Sequence, residues 1–380
     1  MADHVVVIGG GIVGGSAAYA LARRGARVTL VDRGDIGQAT AAGAGIIAAG
    51  TSLRALPAFF ALGLPASQHY ATLIAALAGD GETDTGYAEV GLLHVATSAD
   101  EAARLDEVAA LFSERRAAGF AHIGAVTRLS GTEARTAFPA LGEVAGAVAT
   151  GGAARVDGRL LRDALRRAGV RRGVRIVSGA AALASDGAGG CQVTVESVPL
   201  DPADAVILAG GAWSGATAAA LGIDVPVAPQ RGQILHLEMP DANTAHWPIV
   251  VGFHSHYLLT FAPHRVMAGA TRESDSGFDP RATAGGVREA LSEALRVASG
   301  LAAATLREVR VGLRPASPDG LPIIGRAPGQ ERVWLATGHG PSGLQLGPYT
   351  GELVAGLALG GPAPLDLTPF ALERFHGRSA

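Results

Sequence analysis

Residues 9 to 14 read Gly9-Gly10-Gly11-Ile12-Val13-Gly14, a GxGxxG pattern set between an apolar run, Val5 to Ile8, and a stretch of helical spacing, Ile12 to Arg24. The spacing suits a pyrophosphate. The first glycine makes the turn, the second lets the phosphates approach the backbone, and the third lets a helix pack on a sheet. Amides at the helix N-terminus then face the anion with the favourable end of the helix dipole. A second apolar run, Arg27 to Val31, ends at Asp32, and an acid about 20 residues beyond such glycines can bond a ribose hydroxyl. A tight turn alone would explain the glycines but not strand, helix and acid together. Asp32 argues against a 2′-phosphate and so against NADP. FAD and NAD both stay open on these residues.

Other chemistry is removed by what the chain lacks. All 31 basic residues are arginine, which excludes a Schiff-base lysine, a pyridoxal phosphate anchor and a P-loop lysine. Cys191 is the only cysteine, so there is no internal disulfide, CxxC pair or cysteine-based zinc site, in keeping with a reducing cytoplasm. His254 and His256 share one strand face and invite a metal reading, but no carboxylate or cysteine cluster stands near them in sequence. A polar lining of a cleft or a sheet surface is the preferred reading, and no metal is expected. A formal charge of -3 without long runs offers no footprint for nucleic acid or anionic lipid.

These residues need elements to position them. Strand, glycine turn, helix and strand in that order open an α/β fold with a Rossmann-type unit. Further along, helical spacing covers residues 53 to 77, Asp100 to Ala118 with Ser98 as N-cap, Leu160 to Ala168 and Val287 to Val297. Strands are expected near Gly91 to Ala96, Arg175 to Val177, Gln192 to Glu196, Ala205 to Ala209, Glu308 to Gly312 and Val333 to Thr337. Asp186 to Gly190 reads as a hairpin turn, and Pro226 to Thr271 as an antiparallel sheet. The apolar stretch Gly343 to Leu359, broken by Pro348 and Glu352, is shorter than the ~20 residues of a membrane span and reads as a buried helix. No export signal is visible, so a cytoplasmic protein is expected. The order of elements implies two interleaved domains: a dinucleotide-binding domain from 1–50, 140–220 and 310–380, and an antiparallel-sheet substrate domain from 51–139 and 221–309.

Several segments carry a resemblance. Asp32 to Gly43, Val206 to Ser214, Pro229 to Gln233, Gly269 to Thr271, Gly312 to Pro315 with Asp319 to Gly325, and Ala336 to Gly343 are similar, in that order, to the D-amino acid oxidase and glycine oxidase family of flavoproteins. The resemblance spans essentially the whole chain. It implies noncovalent FAD, with Cys191 outside any position of covalent attachment, and transfer of a hydride from the substrate Cα to flavin N5, giving an imine that hydrolyses to an oxo acid. It assigns FAD contacts to Gly9, Gly11, Ile12, Val13, Gly14, Asp32, Arg33, Thr40, Ala41, Gly45, Ile47, Ala180, Gly210, Gly340, Ser342, Gly343, Leu344 and Gln345.

By the same resemblance Arg314 pairs with the substrate carboxylate, with a structural ion pair as its alternative and Arg310 as the fallback. Tyr257 lies over the substrate or in the core, and His339 begins the loop around the flavin pyrimidine end. Pro341 stands where glycine oxidases commonly carry a second arginine, and Gly338 to Gly343 looks closer to D-amino acid dehydrogenase-like members. Glycine, sarcosine, D-amino acids and imino acids therefore all stay open as substrates. Oxygen or another acceptor would reoxidise the flavin, and a homo-oligomer is open. The rival readings are a 2-hydroxy acid dehydrogenase, a catalytically silent flavin-binding module and an NAD-linked dehydrogenase.

Overall fold

In the computed structural model, which describes residues 3–53, 56–187 and 190–375, the glycine turn follows a fully buried strand, His4–Ile8. That strand is central in a six-stranded sheet ordered Ile323–Arg326, Val333–Thr337, Ala205–Leu208, His4–Ile8, Arg27–Asp32 and Arg175–Ser178. Pairing is parallel except between Ile323–Arg326 and Val333–Thr337. Strands covered on both faces require unbroken apolar runs, which Val5 to Ile8 and Ala205 to Leu208 supply.

The helix Ile12–Arg23 covers one face and crosses the long helix Gly343–Ala358. The crossing depends on glycine. A Cβ at Gly351 would lie 2.6 Å from both Ala17 N and Val13 O, and one at Gly347 would lie 2.9 Å from Ile12 Cγ2.

The second sheet has eight strands ordered Thr305–Ala316, Ala228–Glu238, Arg265–Gly269, Tyr257–Phe261, Ile249–Gly252, Leu92–Ala96, Gly146–Thr150 and Val126–Ser130. Its pairing is antiparallel apart from Ile249–Gly252 with Leu92–Ala96. The fold is thus mixed α/β, with a Rossmann-type parallel sheet and a largely antiparallel one interleaved along the chain. Thr305–Ala316 pairs with Ala228–Glu238 along its length. The same strand bridges to Gln38 through Leu313 and to His339 through Ala316, so it ties the second sheet to the dinucleotide-binding half.

Several elements differ from the sequence reading. The helix expected over Asp100 to Ala118 divides at Arg104 into Ala99–Ala103 and Leu105–Ala117, where the Arg104 guanidinium lies 4.5 Å from the Phe253 ring centroid. Ser98 caps it as expected, accepting from the Glu101 amide at 3.2 Å. The strand expected over Glu308 to Gly312 runs instead from Thr305 to Ala316. Val126–Ser130 and Gly146–Thr150 carry no strand expectation, and Gly146–Thr150 pairs in the eight-stranded sheet although it follows the expected boundary at 140. We infer that the chain crosses into the dinucleotide-binding half only after this strand. The expected helix over 53 to 77 forms as Pro57–Gly79, with 54–55 outside the described residues, and 188–189 of the expected hairpin turn lie outside them too.

Because the atoms that a Gly351 Cβ would strike are backbone, the two helices cannot yield locally. Gly351→Ala is expected to destabilise the fold by about 1–3 kcal/mol, read as a lower urea midpoint at unchanged slope.

Candidate active site

A cleft of about 380 Å³ runs between the two sheets. At one end Gly9 takes φ +105, and a Cβ there would sit 2.3 Å from the Ala209 carbonyl oxygen. Gly14 is equally constrained, its would-be Cβ 1.9 Å from Gly9 O. Gly14 therefore supports the turn from behind and does not line the cleft, whereas Gly9, Gly11, Ile12 and Val13 do. The helix they open has no acidic residue in its first turn, which leaves its amide end favourable to an anion. Thr40 Oγ1 accepts from the Ile12 amide at 2.9 Å and so fixes that turn.

Asp32 is held on both oxygens. Oδ1 accepts from Gln38 Nε2 at 3.0 Å and Oδ2 from Arg166 Nη1 at 3.2 Å. Arg33, Thr40, Gly45, Ala180 and Gly210 also line the cleft, and the Ala180 amide donates to Glu196 at 2.7 Å. Ala41 and Ile47 do not. The Ala41 carbonyl accepts from Arg159 Nε at 2.9 Å beside a neighbouring cavity, and Ile47 is core.

Farther along, the first turn of Gly343–Ala358 presents Gly343, Leu344 and Gln345 to the cleft, next to Gly340 and Pro341. Ser342 is not among the lining residues. Gln345 Oε1 accepts from the Ala48 amide at 3.0 Å, and the Tyr70 hydroxyl donates to the Leu344 carbonyl. His339 is 2% exposed, and burial lowers its pKa to about 4. Its Nε2 lies 3.0 Å from Thr350 Oγ1, and that hydroxyl donates onward to Leu346 O at 3.1 Å. The hydroxyl proton being spent, Nε2 must carry the hydrogen, so the imidazole is neutral with Nδ1 as its acceptor nitrogen.

The remaining wall combines Gly232, Ile234, Tyr257, Arg272, Gly312, Leu313, Arg314 and Pro315. Arg314 Nη1 donates to the Thr271 carbonyl at 2.9 Å. Its guanidinium lies flat over Gly232, where a Cβ would come within 2.3 Å of Cζ and Nη2. Burial pushes the Arg314 pKa down while Tyr257 and Glu273 push it back, and an arginine keeps its charge through such a shift. Burial raises the Tyr257 pKa above the ordinary phenol value, and the neighbouring Arg314 and Arg272 cations oppose that rise. Among the described residues no carboxylate lies within ion-pair distance of Arg314. The cleft therefore holds a half-buried, positioned cation facing open space.

The fallback Arg310 does not share this wall. It lines the neighbouring cavity and is paired with Glu308 at 2.8 Å. His254 and His256 lie outside the cleft lining as well. His254 stands 3.5 Å from Glu101 and from Glu293, and His256 stands 3.5 Å from Glu289, carboxylates brought in from distant helices that local sequence spacing could not reveal. Among the described residues no cluster of three or more such side chains could hold a metal ion. Cys191 is buried in the strand Cys191–Val195. Arg272 and Gly232 were missed individually, although each belongs to or directly follows a segment that carried the resemblance.

The profile of the DAO family, FAD dependent oxidoreductases, matches residues 4–357. The chain belongs to this family. This DAO-family protein is 42% identical over 370 residues to the uncharacterized oxidoreductase YurR of Bacillus subtilis, covering 96% of this chain and 97% of that one. It is similar to the crystal structure of iminodiacetate oxidase from Chelativorans sp. BNC1, with a TM-score of 0.92 and 41% identity over 97% of this chain and 98% of the other. Glycine oxidase of Geobacillus kaustophilus follows at a TM-score of 0.88 and 29% identity, with 98% of each chain covered.

The protein is accordingly an FAD-dependent oxidoreductase of a family acting on amino acids and amines. The residues present fit FAD: a glycine cradle that side chains would fill, an amide-rich helix end without opposing acid, and a fixed carboxylate at Asp32. Asp32→Ala is expected to weaken FAD binding about tenfold, the scale of one lost charge-assisted hydrogen bond, as followed by release of flavin fluorescence on dilution.

Proposed function

We propose that this enzyme oxidises the Cα–N bond of a small amino acid, with Arg314 as the seat of the substrate carboxylate. The observation that carries the reading is the geometry of Arg314, whose planar fork is pinned by Thr271, floored by Gly232 and open to the cleft, with no carboxylate among the described residues within ion-pair distance. A guanidinium so held matches a carboxylate bidentately. Tyr257, which lines the cleft beside Arg314, closes one side and fixes the substrate against rotation, which is how positioning lowers a barrier. Bound in the cradle, FAD supplies the acceptor for the two electrons and the hydrogen removed from Cα.

Gly9, Gly11, Ile12, Val13, Asp32, Arg33, Thr40, Gly45, Ala180 and Gly210 would hold its nucleotide part, and Gly340, Gly343, Leu344 and Gln345 its ring. Cys191 lies outside the cleft lining, so the cofactor is read as noncovalent. The helix that begins at Gly343 directs its amide end into the cleft, an arrangement that stabilises negative charge arriving there. No helix among the described residues is long and apolar enough to cross a membrane.

Arg314→Met is expected to raise KM for the acid substrate and cut kcat/KM at least about a hundredfold, the cost of a lost bidentate pair, while the visible spectrum still shows bound flavin. Unchanged kinetics in a yellow protein would refute the assignment. A 2-hydroxy acid could occupy the same seat, and anaerobic flavin bleaching by amino acids but not by hydroxy acids separates the two.

The lining groups leave the pH dependence to the substrate amine. His339 is already neutral above its pKa of about 4, and Tyr257 stays protonated past the ordinary phenol range. Neither changes charge between about pH 6 and 9, so kcat/KM should rise with pH as the substrate ammonium loses its proton. Its apparent pKa should move with the amine when substrates of different basicity are compared. A pKa fixed across substrates would point to an enzyme group instead.

A further inference from the structure

A second cavity, of about 500 Å³, lies behind Asp32 at the nucleotide end of the cleft. The two cavities share Asp32, Asp35, Gln38 and Ala42, whose stretch of chain forms the partition, whereas the glycine cradle, Arg33 and Ala180 face the first cavity alone. The second hollow is thus separate from the seat of the cofactor.

Its wall carries four guanidinium groups. Arg159, Arg162 and Arg166 stand at i, i+3 and i+7 on the helix Gly158–Arg171, a spacing that puts all three on one face, and Arg310 arrives from the strand Thr305–Ala316. The acids do not match them. Asp32 and Asp35 line the cavity, but Asp35 is taken by Arg33 at 2.7 and 2.9 Å, and Asp32 holds Arg166 at 3.2 Å. Asp163 pairs with Arg162 at 2.8 Å. Glu308 must serve two partners, accepting from Arg159 Nη2 at 3.0 Å and from Arg310 Nε at 2.8 Å. Among these groups one positive charge is left in excess.

Arg310 shows where the excess is aimed. Its side chain is only 10% exposed, yet its terminal nitrogens, Nη1 and Nη2, make no hydrogen bond among the described residues and are not sealed in the interior. Both therefore open on the cavity that Arg310 lines. Burial and the neighbouring Arg159 both push the Arg310 pKa down. Like charges held together in this way carry a cost that a bound anion removes.

The arrangement also speaks to the kind of anion. One guanidinium fork satisfies a carboxylate, whereas a phosphoryl group has three oxygens and can accept from a helix face and a strand at once. The hollow is larger than a lone ion needs and falls within the roughly 300–1,000 Å³ of small-molecule sites. We propose that this cavity is a second ligand site, one for a small molecule carrying a phosphoryl dianion, with that group held among Arg159, Arg162, Arg166 and Arg310. The assignment is independent of the amine-oxidation reading, and no bond of the ligand is made or broken there.

The test is titration calorimetry on the FAD-loaded enzyme with ribose 5-phosphate, inorganic phosphate and ribose. Ribose 5-phosphate is expected to bind, and ribose, which lacks the phosphoryl group, is not. Tighter binding of the ester than of inorganic phosphate makes the site one for phosphate esters, and equal or weaker binding makes it one for free phosphate. Arg310→Met should weaken phosphate binding about tenfold, the scale of a lost charge-assisted pair.

Glu308→Gln should act with the opposite sign and tighten binding by a comparable factor, because Arg159 and Arg310 lose the acid that competes for them. A cluster of ion pairs with a structural role alone predicts no such gain, and this variant decides the matter if Arg310→Met lowers the thermal midpoint. Arg314→Met, on the wall of the other cavity, should leave phosphate affinity unchanged. Failure of both phosphates to bind, an affinity unmoved by Glu308→Gln, or binding lost in Arg314→Met but kept in Arg310→Met would overturn the proposal.

Discussion

The pairing of Thr305–Ala316 with Ala228–Glu238 holds this molecule to its function. Eleven residue pairs join the two strands, and the same strand touches the dinucleotide-binding half at Gln38, at His339 and at Gly312, where an added Cβ would lie 2.9 Å from Ala42 Cβ. A sheet that supplied only the substrate wall could drift relative to the cofactor cradle. Here the cradle side and the wall share one ribbon of backbone, and the groups that must meet within a few tenths of an ångström hang from opposite edges of it.

Glycine performs a comparable task at shorter range. Gly9 and Gly14 let the turn fold against Ala209 and against itself, Gly351 lets two helices meet, and Gly232 lets a guanidinium lie flat. In each case the space that a methyl group would take is used by backbone or by a charged side chain. The resulting cleft is made by close approach as much as by the side chains that face it.

How much of this was legible in the sequence follows from how local each signal is. The glycine turn, its helix and Asp32 were readable because strand, turn and acid stand within one short stretch of chain. Gly146–Thr150 was not, since its Gly-Ala-Val-Ala-Thr sequence holds few of the branched and aromatic residues that mark strands, and only its neighbours in the sheet make it one. Arg310 and Arg314 stand on the same strand, but four residues span about 13 Å. That distance carries Arg310 past the cleft to Glu308. Arg272 directly follows the Gly269 to Thr271 segment, but its place in the cleft lining depends on the fold, which brings Ser255 and Tyr257 beside it.

Arg314, the proposed seat of the substrate carboxylate, has a further property as a chemical surface. It is a guanidinium, in a chain whose 31 basic residues include no lysine. An oxo acid released by oxidation is an electrophile, and an ε-amine on the wall would condense with it to an imine, blocking the next turnover. A guanidinium stays protonated and is a poor nucleophile at any working pH. In the reaction proposed above, Arg314 would bind the carboxylate of the product without being covalently modified by it, an immunity to self-labelling that belongs to guanidinium chemistry.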